Sequence, residues 1–202
     1  MHPHHPMLLL DPAELRPTQL TVGYAEVAAK RAEWERLGRQ KRKILLSRHW
    51  FPGVLGPKQH CYIVDHHHLG LALLEEGVAS VPVMVLRDFS WLAPAEFWRA
   101  IEFYQWAHPY DADNRRREYT AFPRSLAQLQ NDPYRSLAAR VQDVGGYAKD
   151  AIPYAEFMWA SFLRERLTLP KDERLSARLV ARAVKLAHGH DAAYLPGWCG
   201  RR

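Results

Sequence analysis

The chain has 202 residues and a mass of 23.4 kDa, a length that suits one compact domain with a packed extension. Hydrophobic residues make up 48% and charged residues 25%, which is ordinary for a globule with a real core, and no uncharged apolar run is long enough to predict a transmembrane helix. The formal net charge of +6 favours anionic partners such as nucleotides or nucleic acid.

The two cysteines, Cys61 and Cys199, are too few for a disulfide framework, and they argue against a zinc site built on thiolates. A reducing cytoplasm is the predicted location. The N-terminal stretch "MHPHHPMLLLDPAEL" lacks the basic and long apolar regions of a signal peptide, so we interpret its first residues as a loose leader.

The first half of the chain is predicted to mix strands and helices. The predicted elements are a strand at Met7–Leu10, a loop at 15–23, an amphipathic helix at 24–37, a basic turn at 39–43, short apolar pieces "ILL" and "GVL", a strand "HCYIVD", a helix from His66 to Glu76 closed by Gly77, and a strand at Val81–Leu86. Because the last of these is continuously apolar, we expect it to be buried on both faces.

The second half of the chain is predicted to be helical. Helices are indicated at 93–106, 125–130, 134–144, 152–167 and 173–188, with a long polar loop over 107–123. The predicted fold is α+β, with a small mixed β-sheet and flanking helices over 7–90, followed by a helical C-terminal extension over 91–202 packed on it. The side chains expected to supply that packing face are Leu163, Leu167, Leu175, Leu179 and Val184.

An acidic residue and three histidines, Asp65 to His68, stand between a predicted strand and a predicted helix. We expect Asp65 to be the N-cap, with its carboxylate accepting a backbone N–H of His67 or His68. The histidines then occupy the first helical turn, where unpaired N–H groups and the helix dipole attract anions. Three interpretations compete: phosphate or nucleotide binding with His67 or His68 as donor, a metal site, and histidines satisfied within the fold. Phosphate binding is preferred.

Two basic clusters, Arg39–Lys43 and Arg115–Arg117, are either solvated loops or patches that face phosphate. The segment "GGYAKD" at 145–150 offers Lys149 as a point charge for phosphate, or else simply caps a helix. It is not a Walker loop, because the spacing is wrong and no Ser or Thr follows the lysine.

The loop "HPYDADNRRR" gives a further metal alternative. Asp111 or Asp113 could hold a divalent metal together with His67, provided that the loop folds back over the pocket.

The segments of the first half follow one another in the order "LRPTQ", helix, basic turn, apolar strand, "IVDHHHLGLALLEEG", "VPVMVL". This order resembles the ParB-like nuclease family within the ParB/sulfiredoxin superfamily. Many members show an Asp-Gly-His-His-Arg signature at this junction, which Asp65, His67 and His68 match. His66 replaces the usual glycine and Leu69 the usual arginine, which often helps to hold a phosphate. The Asp-His-His-His form, with "DPYRSL", "GGYAK" and "PYAEFMWASFLR" downstream, is similar to a distinct subgroup of ParB-like nucleases.

The resemblance implies a nucleotide-phosphate pocket at the histidine turn, with Mg²⁺ and ATP or CTP as the expected cofactors. The implied function is nucleotide binding, with hydrolysis of the nucleotide or phosphate transfer as the reaction. The alternative is a nucleic-acid-binding protein or nuclease of the same family, and a non-catalytic relative stays open because Leu69 replaces the arginine.

Site residues follow from the same resemblance and from the histidine turn. Glu26 is a catalytic candidate because several relatives have a carboxylate near this place, and His68 is the second. The predicted phosphate or nucleotide ligands are Arg16, Thr18, Gln19, Asp65, His66, His67, His68 and Lys149. No residue is assigned to a metal, no membrane partner is expected, and turnover itself stays open.

Overall fold

The computed structural model describes residues 6–200, so the predicted leader over residues 1–5 lies outside the described part. Contacts divide the chain into two units: 6–22 with Glu26–Asn131, and Gly23–Ala25 with 132–200. None of the helices within 6–200 combines the length and the apolar character that crossing a bilayer requires.

The elements follow each other in mixed order along the chain. The strands are β1 (Met7–Leu10), β2 (Arg16–Pro17), β3 (Thr21–Val22), β4 (Phe51–Leu55), β5 (Cys61–Ile63), β6 (Val81–Asp88) and β7 (Gln130–Asn131). The helices are α1 (Tyr24–Arg36), α2 (Arg39–Arg48), α3 (His67–Glu75), α4 (Pro94–Phe103), α5 (Pro133–Asp143), α6 (Ala155–Arg166) and α7 (Ala177–Ala187).

The first unit contains a mixed sheet with the strand order β1-β6-β4-β5-β2. Strand β6 pairs antiparallel with β1 and parallel with β4, β4 pairs antiparallel with β5, and β5 pairs parallel with β2. A separate parallel pair joins β3 to β7. The small mixed sheet with helices confirms the predicted α+β class.

Four local predictions differ from the structure. The helix predicted at 125–130 is a 3₁₀ turn at Leu126–Gln128 followed by the start of β7. The predicted loop at 15–23 contains β2 and β3, and the basic turn at 39–43 is the first half of helix α2, which also takes in "ILL". Strand β6 is buried on one face only, with Val81 and Val83 in the core and Met84 half-buried on the other face. A continuous apolar run therefore did not mean burial on both faces here.

Helix α3 packs closely on the sheet because a glycine, Gly70, lies on the face that contacts the sheet. Leu69, Leu71 and Leu73 lie in the core, and Gly70 sits between them. A Cβ at Gly70 would stand 3.0 Å from Leu126 and 3.3 Å from Phe51. The glycine therefore allows the first turns of the helix to approach β4 and β5.

Helix α4 belongs to the first unit. Phe97 and Ile101 are fully buried and cluster with Val54 of β4 and Tyr62 of β5. The predicted boundary between residues 90 and 91 thus falls inside this unit, because the aromatic face of α4 completes its core.

The second unit has its own core, built from α5, α6 and α7. Trp159 is fully buried and Tyr147 stacks on it, with ring centroids 4.1 Å apart. The five side chains predicted to pack on the sheet, Leu163, Leu167, Leu175, Leu179 and Val184, all belong to this second core.

Candidate functional site

The turn between β5 and α3 is built on a left-handed residue. His66 has φ 64° and ψ 25° and is the residue that caps α3. Its backbone N–H donates to Oδ1 of Asp65 over 2.6 Å. The prediction that Asp65 is the N-cap was therefore wrong, because the helix begins one residue later and the carboxylate is used by His66 itself.

The left-handed conformation of His66 is unusual for a residue with a side chain. Glycine adopts a positive φ without the steric cost that a side chain brings, so His66 occupies a position that suits glycine. The imidazole of His66 makes edge contacts with Phe51 at 5.9 Å and with His49 at 6.3 Å between ring centroids. These ring contacts pack the His66 side chain and so help to hold its backbone in the left-handed conformation.

His67 points into the protein and contacts the loop after β2. Only 5% of the residue is exposed, and its Nε2 accepts the backbone N–H of Thr18 over 3.1 Å. Thr18 in turn donates its hydroxyl to the carbonyl of Ile63 over 2.9 Å. Because this ring nitrogen accepts a hydrogen bond, it is not available to donate one to a phosphate.

His68 and Glu26, both predicted as catalytic candidates, lie next to each other. The His68 Nε2 is 3.3 Å from the Glu26 Oε2, and the two side chains are 14% and 21% exposed. His68 belongs to the first turn of α3 and Glu26 to the first turn of α1. A half-buried imidazole beside a carboxylate is an arrangement used for proton transfer and for orienting a reacting group.

Arg16 lies at the other end of β5 from the histidine turn. It donates through Nη2 to the His60 Nε2 over 2.8 Å and through Nη1 to the Tyr62 hydroxyl over 3.4 Å. Burial lowers the pKa of His60, and the positive charges of Arg16 and Lys58 lower it further. The structure therefore places Arg16 against His60, away from the histidine turn, which the sequence analysis missed.

Gln19 and Thr18 lie beside the loop that follows α4. Gln19 is buried and forms a backbone bridge with His108, whose N–H donates to the carbonyl of Thr18 over 2.9 Å. The segment "LRPTQ" thus reaches the histidine turn through Thr18, while Gln19 is held by the 107–117 loop.

Asp111 is engaged within its own loop. Its Oδ1 accepts the N–H groups of Asp113 and Arg115, and its Oδ2 accepts Arg117 Nε over 2.5 Å. Partial burial works to raise the pKa of this carboxyl, but the hydrogen bonds and the Arg117 charge outweigh it and leave the pKa below its usual value. The carboxylate therefore caps the loop, which gives no support to the Asp111 metal alternative.

The structure also places Lys149, Cys61 and Leu69, which the sequence analysis discussed. Lys149 is exposed in the second unit, after Gly145 ends α5 with φ 80°. Cys61 is buried in β5, and this burial raises the pKa of its thiol to about 12, so that it stays protonated at neutral pH. Leu69 is buried in the core below α3.

Helix α2 presents a basic surface beside the histidine turn. It contains no buried residue and no acidic residue, and Arg42 stacks on Trp34 at 4.9 Å. The helix ends at Arg48, and the residue that caps it, His49, contacts His66. Sequence analysis noted the basic cluster but not that its helix leads to the candidate site.

A divalent cation fits this turn only in part. Mg²⁺ prefers oxygen ligands and is usually bound by one or two carboxylates together with substrate phosphates. Glu26 offers a half-buried carboxylate and Asp65 an exposed one. The chain could therefore offer carboxylate oxygens at this turn.

Comparisons with known proteins agree with the fold. A family model described as "Putative ParB-like nuclease" matches residues 10–165. The crystal structure of protein Atu1540 from Agrobacterium tumefaciens is similar, with 40% sequence identity, a TM-score of 0.87, and coverage of 98% of this chain and 100% of that chain. No curated protein matches the chain.

Proposed function

The chain belongs to the ParB-like nuclease family, and from this premise we propose that the first turn of α3 binds the phosphate of a nucleotide, with His68 and Glu26 as the reactive pair. The observation that carries the proposal is the 3.3 Å separation of the His68 Nε2 and the Glu26 Oε2. The reaction that suits the pair is hydrolysis of the nucleotide or transfer of its phosphate.

Each member of the pair has a chemical role in this proposal. His68 is the proton-transferring group, because an imidazole titrates near neutral pH. Glu26 orients the ring through Nε2 and stabilises its protonated form when the proton is taken up. Both roles need the two groups to be partly shielded from water, and the low exposure of both side chains supports that.

The backbone of the α3 turn supports phosphate binding. The first N–H groups of a helix lack partners within that helix and lie at the positive end of its dipole. The carboxylates of Asp65 and Glu26 oppose an incoming phosphate, however, so the proposal includes Mg²⁺. Bound with the nucleotide, the ion would neutralise negative charge on the phosphates.

The remaining candidate residues fall into two groups, those that position the turn and those predicted to contact a nucleotide. We assign Thr18 and His67 to positioning the turn, since their hydrogen bond ties the loop after β2 to α3. Contacts of Arg16, Gln19 and Lys149 with a nucleotide stay predictions, and they are not needed for the proposed chemistry.

A thermal-shift screen tests the proposal. ATP, ADP, CTP, GTP and inorganic phosphate are each added with and without Mg²⁺ to the wild type and to His68→Ala. A ligand that prefers the folded state raises the melting temperature. We expect at least one nucleotide to do so in the presence of Mg²⁺ and to lose the effect in His68→Ala. No shift with any of these ligands would contradict nucleotide binding.

A second candidate function is cleavage of nucleic acid at the same pair, and the basic helix α2 favours it. Five basic residues and no acidic residue lie within Arg39–Arg48. The residue that caps the helix, His49, contacts the ring of His66. A phosphate backbone lying along α2 would be led to the α3 turn. A thermal shift produced by short oligonucleotides and by none of the nucleotides would favour this function over the first.

A further inference from the structure

Helix α7 carries a basic stripe that faces solvent. Arg178, Arg182 and Lys185 are exposed and are spaced four and three residues apart, which places them on one face of a helix. Helix α7 contains no acidic residue. Among the ion pairs found within 6–200, none involves these three side chains.

The opposite face of α7 is buried, so the basic face is held toward solvent. Leu179, Val180, Ala183 and Ala187 are buried in the core of the second unit. The hydroxyl of Ser176 caps the helix by accepting the N–H of Leu179 over 3.3 Å. The basic side chains are therefore presented by a helix that is anchored along its length.

A groove lies beside the stripe, between α7 and α6. It has a volume of about 530 Å³ and is lined by Arg182 and Lys185 of α7 together with Arg166 of α6. The Arg166 guanidinium lies 3.9 Å from the centroid of the Phe162 ring, which holds it in the groove. Asp191 belongs to the lining and Glu165 pairs with Arg166 over 3.0 Å, so the net positive charge of the groove comes from Arg182 and Lys185.

We propose that this face of α7 binds the phosphate backbone of nucleic acid. Arg178 and Lys185 are separated by a rise of about 10 Å along the helix, a length that suits a row of phosphates better than one anion. Unpaired basic side chains bind such a row by releasing its counterions. The stripe lies after residue 165, where the family match ends, and the proposal does not rest on the chemistry proposed for His68.

The test is the salt dependence of binding to a short labelled DNA duplex, followed by fluorescence anisotropy. The triple variant Arg178→Gln, Arg182→Gln, Lys185→Gln is expected to bind at least about 10-fold more weakly at low salt. The slope of log K against log salt should fall in magnitude by about 2–3, since each phosphate contact contributes about 0.9.

A matched variant controls for net charge. Arg87, Arg99 and Arg140 are exposed and lie outside α7, so their replacement by glutamine removes the same charge. This control should keep most of the affinity and of the salt slope. Three results would overturn the proposal: no DNA binding by the wild type at low salt, an unchanged slope in the α7 variant, or an equal loss in the control. Circular dichroism confirms that each variant is folded.

Discussion

Replacing His68 by alanine is expected to lower the rate of phosphate release from the nucleotide found in the thermal-shift screen by about 10²–10⁴-fold, the usual contribution of a positioned proton-transferring group. We expect the variant to fold, because His68 keeps 14% of its side chain exposed in the first turn of α3, whereas His67 is only 5% exposed. The measurement is single-turnover phosphate release, with urea unfolding of the same preparation.

Glu26→Gln separates the two roles within the pair. Glutamine keeps the shape of the side chain but removes the charge that stabilises a protonated His68, so the rate should fall less than in His68→Ala. The double variant should be no slower than His68→Ala alone, because groups that act as one unit are not additive. Glu33→Gln, an exposed change on the same helix α1, is the matched control and should leave the rate unchanged.

Two outcomes would contradict these roles. One is turnover in His68→Ala at the wild-type rate. The other is a double variant whose loss equals the product of the two single losses, because that result describes two independent residues rather than a pair.

Replacing His67 by alanine is expected to act on stability instead. The substitution leaves the buried N–H of Thr18 without its acceptor, which costs about 1–3 kcal/mol, and the cavity left by the ring adds to that loss. Urea unfolding should therefore show a lower free energy of unfolding. The melting temperature should fall in parallel.

His68→Ala is the matched control for this prediction, since it makes the same change one residue along the chain. A second variant, His67→Gln, offers Thr18 an amide oxygen as acceptor and should recover part of the lost stability. Equal stability losses in His67→Ala and His68→Ala would contradict the assignment of His67 to positioning. Nucleotide binding lost in a His67→Ala protein of full stability would contradict it as well.

Some of the site was readable from the sequence because its signal is local. A strand, an acidic residue, three histidines and an apolar helix follow one another without interruption, so the strand–helix junction was located correctly. Asp65 and His66 lie between β5 and α3, and His67 and His68 form the start of α3. Glu26 was predicted only through the family resemblance, and the structure brings it to His68. Helical periodicity located α1, since Val27 and Trp34 are both buried.

Other parts were not readable because local preferences gave the wrong result. Asp65 has the higher preference for an N-cap, but the turn requires a left-handed residue at His66, and the cap moves with it. Helix α2 has no buried residue, so it shows no apolar stripe by which a helix could be recognised.

Contacts between distant segments were also outside the reach of pattern reasoning. The hydrogen bond from Thr18 to His67 and the contact between Arg16 and His60 join segments more than forty residues apart. Strand β2 has two residues, too few to show an alternating pattern. The different environments of His67 and His68 therefore emerged only from the structure.

The most direct test of the central claim is NMR of the histidine imidazoles while nucleotide and Mg²⁺ are added. Signals are assigned by comparing the wild type with His68→Ala and His67→Ala. We expect the chemical shifts of His68 to change until the protein is saturated with ligand. The chemical shifts of His188, in the second unit, should stay constant. His68 signals that do not move at saturating concentrations of any of the screened nucleotides would contradict phosphate binding at the first turn of α3.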